Sequence, residues 1–183
     1  MMGQIVIPLA DGFEETEAIT NIDVLRRAGL NVVTVSLGSL TVHGDHGIDV
    51  QADQNIADLD LEQIDGVVLP GGMPGAKHLK EDKRVVELVQ QLDQKDGLVA
   101  AICAAPMVLE EAGVIEDRPA TSYPGFDEQM PSCRYQQERV VVDDNLVTGR
   151  GPGVALEFAI KIVELIVGQD KAEELKAAMI TNF

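Results

Sequence analysis

The residues of this chain best suited to chemistry converge on Cys103, within the run LVAAICAAPMVLEEAG from Leu98 to Gly113. The apolar stretch before the cysteine has the pattern of a buried strand, and Pro106 onward has the apolar spacing of a helix. The thiol therefore falls on a strand-to-helix turn. Such a turn doubles the backbone back on itself and needs small neighbours, supplied here by Ala101 and Ala105. The pattern A-x-C-x-A stands where the hydrolase elbow uses G-x-S-x-G. Pro106 suits a first helical turn, whose N–H needs no partner. A sulfur at a helix N-terminus meets the positive end of the macrodipole, which favours the thiolate. Cysteine is also a common small core residue, so the turn taken alone leaves both readings open.

Two other turns belong at the same end of the fold. ADGFEETEA places Glu14, Glu15 and Glu17 in the opening of a helix spanning Glu14–Ala28. Acids are stabilised there by the macrodipole, which by itself accounts for two of the three. Glu14 and Glu17 share a face while Glu15 points elsewhere. A carboxyl aimed into a cleft beside a thiolate is pushed toward its protonated form, and can then donate to sulfur and shuttle a proton. The second turn, LPGGMPGA from Leu69 to Ala76, lacks the Lys-Ser/Thr of a phosphate loop. Its glycines let backbone N–H groups approach a ligand, and with the Ala104 amide they can form an oxyanion hole. The histidines, His43, His46 and His78, occupy no typical position for the base of a Cys–His dyad. They form no recognisable ligand set either, so no metal or other cofactor is expected. Cys133 lies in the polar loop PSCRYQQ and reads as structural.

The elements that must position these turns alternate. Strand-like runs occur at Gln4–Leu9, Asn31–Ser36, Gly66–Leu69, Leu98–Ile102, Arg139–Asp143 and Asn145–Thr148. Helical patterns fall at Glu14–Ala28, Arg84–Gln94, Pro106–Ala112, Gly153–Val167 and Lys171–Met179. Alternation of this kind, with strands almost continuously apolar, predicts βαβ units and a doubly covered parallel sheet. The segment Thr41–Asp53 alternates apolar and polar residues and predicts an antiparallel hairpin appended to that sheet. In open parallel sheets ligands bind at the carboxyl ends of the strands. The acidic turn, the glycine turn and Cys103 all lie there.

With 183 residues, one domain over 1–183 is expected. Hydrophobic residues make up 45% and aromatic residues only 3%, so aliphatic and alanine packing must build the core. The net charge of −17 disfavours nucleic-acid binding. No apolar run approaches the roughly 20 residues of a membrane span, and MMGQIVIPLADG has no basic leader region. Two cysteines are too few for a disulfide framework. A cytoplasmic protein with free thiols is the expectation.

Together, DGFEETEA, LPGGMPGA, AAICAAP and GRGPGVALEFA, in this order, resemble the ThiJ/PfpI superfamily across nearly the whole chain. The similarity is strongest to the subgroup that holds the parkinsonism-associated protein deglycase and bacterial YajL. The resemblance implies a flavodoxin-like α/β sandwich and a homodimer. Cys103 takes the place of the oxidation-sensitive nucleophile, and Glu17 that of the protonated glutamate bonded to it. Gly71, Gly72 and Ala104 match the backbone donors of the pocket. Arg27 and the turn Arg150-Gly151-Pro152 match residues near the pocket and dimer interface. The implied activity is glutathione-independent conversion of methylglyoxal or glyoxal to hydroxy acids, or repair of early glycation adducts. The alternative is a redox sensor or redox-regulated chaperone working through oxidation of Cys103. Two positions depart from the human-like pattern. Tyr123 stands where those proteins have histidine, as in YajL-like members, and His46 stands where they place an arginine. A phenol donates hydrogen bonds but is a poor base near neutral pH, which leaves proton transfer to Glu17 and disfavours a peptidase built on a Cys–His dyad.

Overall fold

The computed structural model describes residues 3–183; Met1 and Met2, part of the amino-terminal reading above, lie outside the described residues. The chain runs β1 (Gln4–Leu9), α1 (Glu15–Arg27), β2 (Asn31–Ser36), β3 (Thr41–His43), β4 (Asp49–Gln51), β5 (Gln54–Asn55) and β6 (Ile64–Leu69). It continues through α2 (Gly75–Glu81), α3 (Lys83–Gln94), β7 (Leu98–Ile102), α4 (Pro106–Ala112), β8 (Pro119–Ala120) and β9 (Arg134–Tyr135). The last elements are β10 (Val140–Asp143), β11 (Leu146–Gly149), α5 (Ala155–Ile166) and α6 (Gln169–Ala178).

The main sheet has the order β10-β11-β7-β6-β1-β2-β5. Every pairing is parallel except β10 with β11, a hairpin that closes one edge. Successive side chains of a strand face opposite sides of the sheet, and the apolar runs feed both. Val6, Val67, Leu69, Val99 and Ala101 pack toward α2, α3 and α4. Ile5, Ile7, Leu9, Val68, Ala100 and Ile102 pack toward α1, α5 and α6. Full burial on both faces, at roughly 1.5–3 kcal/mol for each large aliphatic side chain, is why these strands show no polar alternation. The architecture is the flavodoxin-like α/β fold.

β1, β2 and β7 match the expected spans to the residue, because each is an apolar run bounded by turn residues. The hairpin at Thr41–Asp53 forms, but β3 and β4 make a separate two-stranded ladder. It joins the turn after β1 instead, through Gly12 N–H to His43 O (2.7 Å) and Asp45 N–H to Phe13 O (2.9 Å). The helix α2 was not anticipated. It begins at Gly75 directly after the PGGMP turn, with no side-chain cap, so neither propensity nor capping announces it.

The sheet order places the switch of winding direction between β1 and β6. From β1 the chain steps outward to β2 and β5, then returns to the other side of β1 with β6 and moves away through β7. The turns after β1 and β6 therefore lie side by side at the crevice that such folds form at the carboxyl ends of the strands.

Candidate active site

Three turns meet at that crevice. Glu14 N–H donates to Gly71 O (3.0 Å) and Gly75 N–H to Gly12 O (3.2 Å), which ties the turn after β1 to the turn after β6. Close approach of the two chains demands glycine. A Cβ on Gly72, whose φ is +89°, would lie 2.4 Å from both Glu14 N and Gly12 O. A Cβ on Gly71 would lie 2.7 Å from the Cys103 Cβ and 2.7 Å from Glu17 Oε2.

Cys103 has φ +65°, the left-handed region that a residue with a Cβ avoids. Such a conformation costs on the order of 1–3 kcal/mol and persists only where its surroundings determine it. Here both backbone groups are committed: Cys103 N–H donates to Gly149 O and Cys103 O accepts from Tyr123 N–H, each at 2.9 Å. Ala101, Ala104 and Ala105 are buried around the turn. The strain is the elbow the sequence called for, and it projects a half-buried sulfur toward the crevice.

Glu17 reaches that sulfur from the first turn of α1. Its side chain is fully buried, Oε2 accepts from Gly71 N–H at 2.7 Å, and the carboxyl adjoins the Cys103 thiol. Oε1 is buried and receives no N–H or O–H. Burial raises the Glu17 pKa from 4.5 to about 7, against the opposing pull of the Gly71 amide and the thiol, with nearby Glu14 adding to the rise. The same burial, followed by the negative charge on Glu17, pushes the Cys103 thiol up. The amides of Ala104 and Gly72 point at the sulfur and pull it back down, but by less. The two groups titrate as one system. The share of that rise due to the Glu17 charge is lifted when Glu17 holds its proton, which can then be donated to sulfur alongside the two amides. The seven-residue helix α4 adds no side-chain cap, so the expectation that its dipole alone favours the thiolate gives way to dependence on Glu17.

All three acids of the first turn have specific partners. Glu14 is not helical: with φ −82° and ψ 118° it is the N-cap of α1, and its Oε2 accepts from Glu17 N–H at 2.7 Å. It holds Glu17 in place by capping rather than by sharing a helical face. Glu15 is buried and binds the hairpin, accepting from His46 N–H (2.6 Å), His46 Nδ1 (2.9 Å) and Ile48 N–H (3.4 Å). Burial pushes Glu15 up, but these donors outweigh it and leave its carboxyl below the usual range. The Glu15 carboxylate raises the His46 imidazole in turn. Ligand atoms of Glu14, Glu15 and His46 lie within 4.8 Å of one another. This contact joins residues 31 apart in the chain, and no local pattern could have disclosed it.

The structure thus gathers Cys103, Glu17, Gly71, Gly72 and Ala104 into one cluster. Tyr123 adjoins it through its backbone, and its ring, 47% exposed, lies against Gly151. Arg150 and Pro152 follow immediately after the Gly149 carbonyl that anchors Cys103. Two residues stand apart. Arg27 is at the far end of α1, roughly 15 Å along the axis from Glu17 at 1.5 Å per residue, where it pairs with Asp23 at 2.8 Å. His46 is exposed and turned to Glu15, not to the sulfur. His43 and His78 are likewise engaged elsewhere, with Asp49 (2.7 Å) and with the Asp11 carbonyl (3.1 Å). Cys133 lies half-buried in the layer of α2, α3 and α4, with its thiol donating to Met130 O at 3.3 Å. No helix among the described residues is long and apolar enough to cross a membrane.

Comparison with known proteins agrees with this architecture. Residues 3–165 match the DJ-1/PfpI family. Protein dj-1beta of Drosophila melanogaster is 39% identical over 181 residues, covering 97% of each chain. Its crystal structure superposes with a TM-score of 0.95 at 38% identity, covering all of both chains. The glutathione-independent glyoxalase DJR-1.2 of Caenorhabditis elegans is 35% identical over 172 residues, covering 93% of this chain and 91% of the relative. The structure of oxidized Toxoplasma gondii DJ-1 gives a TM-score of 0.94 at 34% identity, covering 99% of this chain and 100% of that one. Some relatives are longer: the chain spans 41% of DJ-1 homolog B of Arabidopsis thaliana, to which it is 38% identical over 97% of its own length. The chain belongs to the DJ-1/PfpI family.

Proposed function

We propose that this protein is a Cys103-dependent, glutathione-independent glyoxalase or deglycase-type enzyme. It acts on methylglyoxal, glyoxal or early glycation adducts and protects against carbonyl and oxidative stress. The observation that carries this reading is the buried Glu17 carboxyl, raised to about 7, against the Cys103 thiol. The similarity to a glyoxalase named as glutathione-independent supports it.

The mechanism starts from the Cys103 thiolate with Glu17 protonated. Sulfur adds to the aldehyde carbon of a 2-oxoaldehyde, and the amides of Gly72 and Ala104 hold the oxyanion until Glu17 protonates it. Glu17, now ionised, removes the proton from the former aldehyde carbon and delivers it to the adjacent carbonyl carbon. The hydroxyl proton of the first carbon passes to the oxygen of the second, so the first carbon is oxidised to a thioester, the second is reduced to a carbinol, and the redox change closes within the substrate. Water then cleaves the thioester, which releases the 2-hydroxy acid and regenerates the thiol. A pKa near 7 suits a group that must act as acid and then as base.

The measurement is lactate formed from methylglyoxal without glutathione. Wild type forms lactate, whereas Cys103→Ala and Glu17→Gln lose it; full activity in Cys103→Ala sinks the proposal. The second reading is a redox sensor or redox-regulated chaperone, supported by the oxidized state named for the Toxoplasma relative. A sulfur surrounded by Glu17 and two amides is also positioned to be oxidised to a sulfinate. Negligible lactate with rapid stoichiometric peroxide oxidation at Cys103 selects that reading. With every histidine of the chain committed elsewhere, a peptidase built on a Cys–His dyad has no histidine base here. We assign the working form as a single-domain chain over 1–183 in a cytoplasmic homodimer. Ile19, 43% exposed on α1, supports an apolar interface there, and Arg27, at the far end of α1, and His46, bonded to Glu15, are assigned to that interface.

A further inference from the structure

Beside the Cys103 turn lies a surface hollow of ≈310 Å³, lined by Tyr123, Arg139, Arg150, Pro152 and Val154 among others. Its walls are tied to the candidate site through the backbone. Tyr123 N–H donates to Cys103 O, and Arg150 follows the Gly149 carbonyl that receives Cys103 N–H. The hollow therefore borders the backbone that holds the Cys103 turn.

The two arginines in it differ. The Arg139 guanidinium is 60% exposed and bonded to Glu157 at 2.7 Å, so its charge is already matched. Arg150 has no such partner. Five other arginines, Arg26, Arg27, Arg84, Arg118 and Arg139, form ion pairs, and Arg134 donates to the Asp117 carbonyl. Among the described residues the Arg150 side chain has neither an ion pair nor a hydrogen bond, and its Nη1 is buried without an acceptor. This happens in a chain with 31 acidic residues against 14 basic ones, where carboxylates are abundant. A guanidinium is charged at every working pH, and leaving it half-buried without an acceptor is unfavourable. An anion in the hollow would remove that penalty, and a planar carboxylate matches the fork of guanidinium donors. The net charge of −17 repels anions at long range, so only a local cation of this kind would retain one.

We propose that this hollow is an anion subsite of the Cys103 pocket, in which Arg150 binds the carboxylate of a small 2-oxoaldehyde that carries one at its far end. The proposal rests on the glyoxalase-type reading of Cys103. The carboxylate takes no part in the bond changes; it fixes the aldehyde carbon over the sulfur.

The test compares 4,5-dioxopentanoate, a 2-oxoaldehyde with a terminal carboxylate, against methylglyoxal without glutathione. Wild type favours the carboxylated substrate in kcat/KM by about tenfold or more, the scale of one charge-assisted contact. Arg150→Gln loses that preference through KM, and Arg150→Lys, a point charge in place of a fork, keeps part of it. A ratio unchanged in Arg150→Gln overturns the proposal. A binding measurement separates the subsite from the chemistry. Calorimetric binding of 2-hydroxyglutarate to Cys103→Ser should weaken about tenfold when Arg150→Gln is added. Should Cys103 turn over no oxoaldehyde, the glyoxalase reading falls while this binding result still decides the subsite. Should Arg150→Gln fail to fold, Arg150→Lys decides: severalfold weaker binding supports the subsite and equal binding overturns it.

Discussion

The two ends of the sheet make an instructive contrast. At the amino ends of β6 and β7, Asp65, Asp96, Asp144, Lys95 and Asn145 surround a hollow of ≈720 Å³ floored by Ile64, Leu92 and Leu98. Like the carboxyl end it has residues at positive φ, Asp96 at 55° and Asp144 at 51°. There the resemblance stops. Those aspartates are exposed tips of tight turns, a setting in which Asp tolerates the left-handed region. Asn145 is spent on structure, donating to Gly97 O (2.9 Å) and Asp93 (3.2 Å). At the carboxyl end the positive φ belongs to a cysteine clamped by two backbone bonds, and the neighbouring acid is wholly buried. Room and acidic residues do not make a reactive site. A buried acid forced against a strained nucleophile does.

The contrast breaks most sharply at Cys103. Cys103→Ala should lower glutathione-free lactate formation by at least about a thousandfold, the scale of losing a nucleophile, while Asp144→Ala at the opposite end leaves the rate unchanged. Steady-state kinetics on both variants would read this. Glu17→Gln should lower kcat by about 10²–10⁴-fold, the range of general acid–base catalysis. The same change should stabilise the protein at alkaline pH. Glu17 is held protonated in the folded state, so it contributes stability below about pH 4.5 that is lost as pH rises to about 7. Removing that loss amounts to about 1–3 kcal/mol at pH 8, measurable by urea unfolding of both proteins at pH 4.5 and pH 8. Loss of activity together with loss of stability at pH 8 would mean that the acid serves the fold instead.

Gly71→Ala should be next in effect, because its methyl would meet the Cys103 Cβ and Glu17 Oε2, both at 2.7 Å. A destabilisation of about 1–3 kcal/mol is expected, with disproportionate loss of kcat. Asp144→Gly is the smallest expected effect: turnover unchanged and stability altered by less than about 1–2 kcal/mol, since the left-handed turn needs no side chain there. A large kinetic effect at Asp144 would blur the distinction between the two ends.

What the chain disclosed in advance follows from the range of the interaction involved. Buried strands such as Leu98–Ile102 are legible because burial on both faces leaves a continuous apolar run. The elbow was legible from Ala101, Ala105 and Pro106, since small residues and a first-turn proline are local requirements. Spacing set Glu15 apart, but Glu17 could be separated from Glu14 only by resemblance. Its distinguishing property is burial against Gly71, which lies 54 residues away. The hairpin's attachment through Glu15 and His46 was hidden for the same reason. Arg27 illustrates the reverse: resemblance placed it near the pocket, while the length of α1 carries it away from the sulfur of its own chain. The thiolate was expected from the dipole of α4, yet burial and Glu17 outweigh what the local amides supply.

The central claim is that Glu17 holds a proton against Cys103 near neutral pH. The direct measurement is a titration of the Glu17 side-chain carboxyl by carbon-13 NMR, with Glu17→Gln used to assign its resonance. The account predicts a midpoint near 7, with the carboxyl neutral at pH 6. A midpoint near the ordinary 4.5, with Glu17 fully ionised at pH 6, would contradict it.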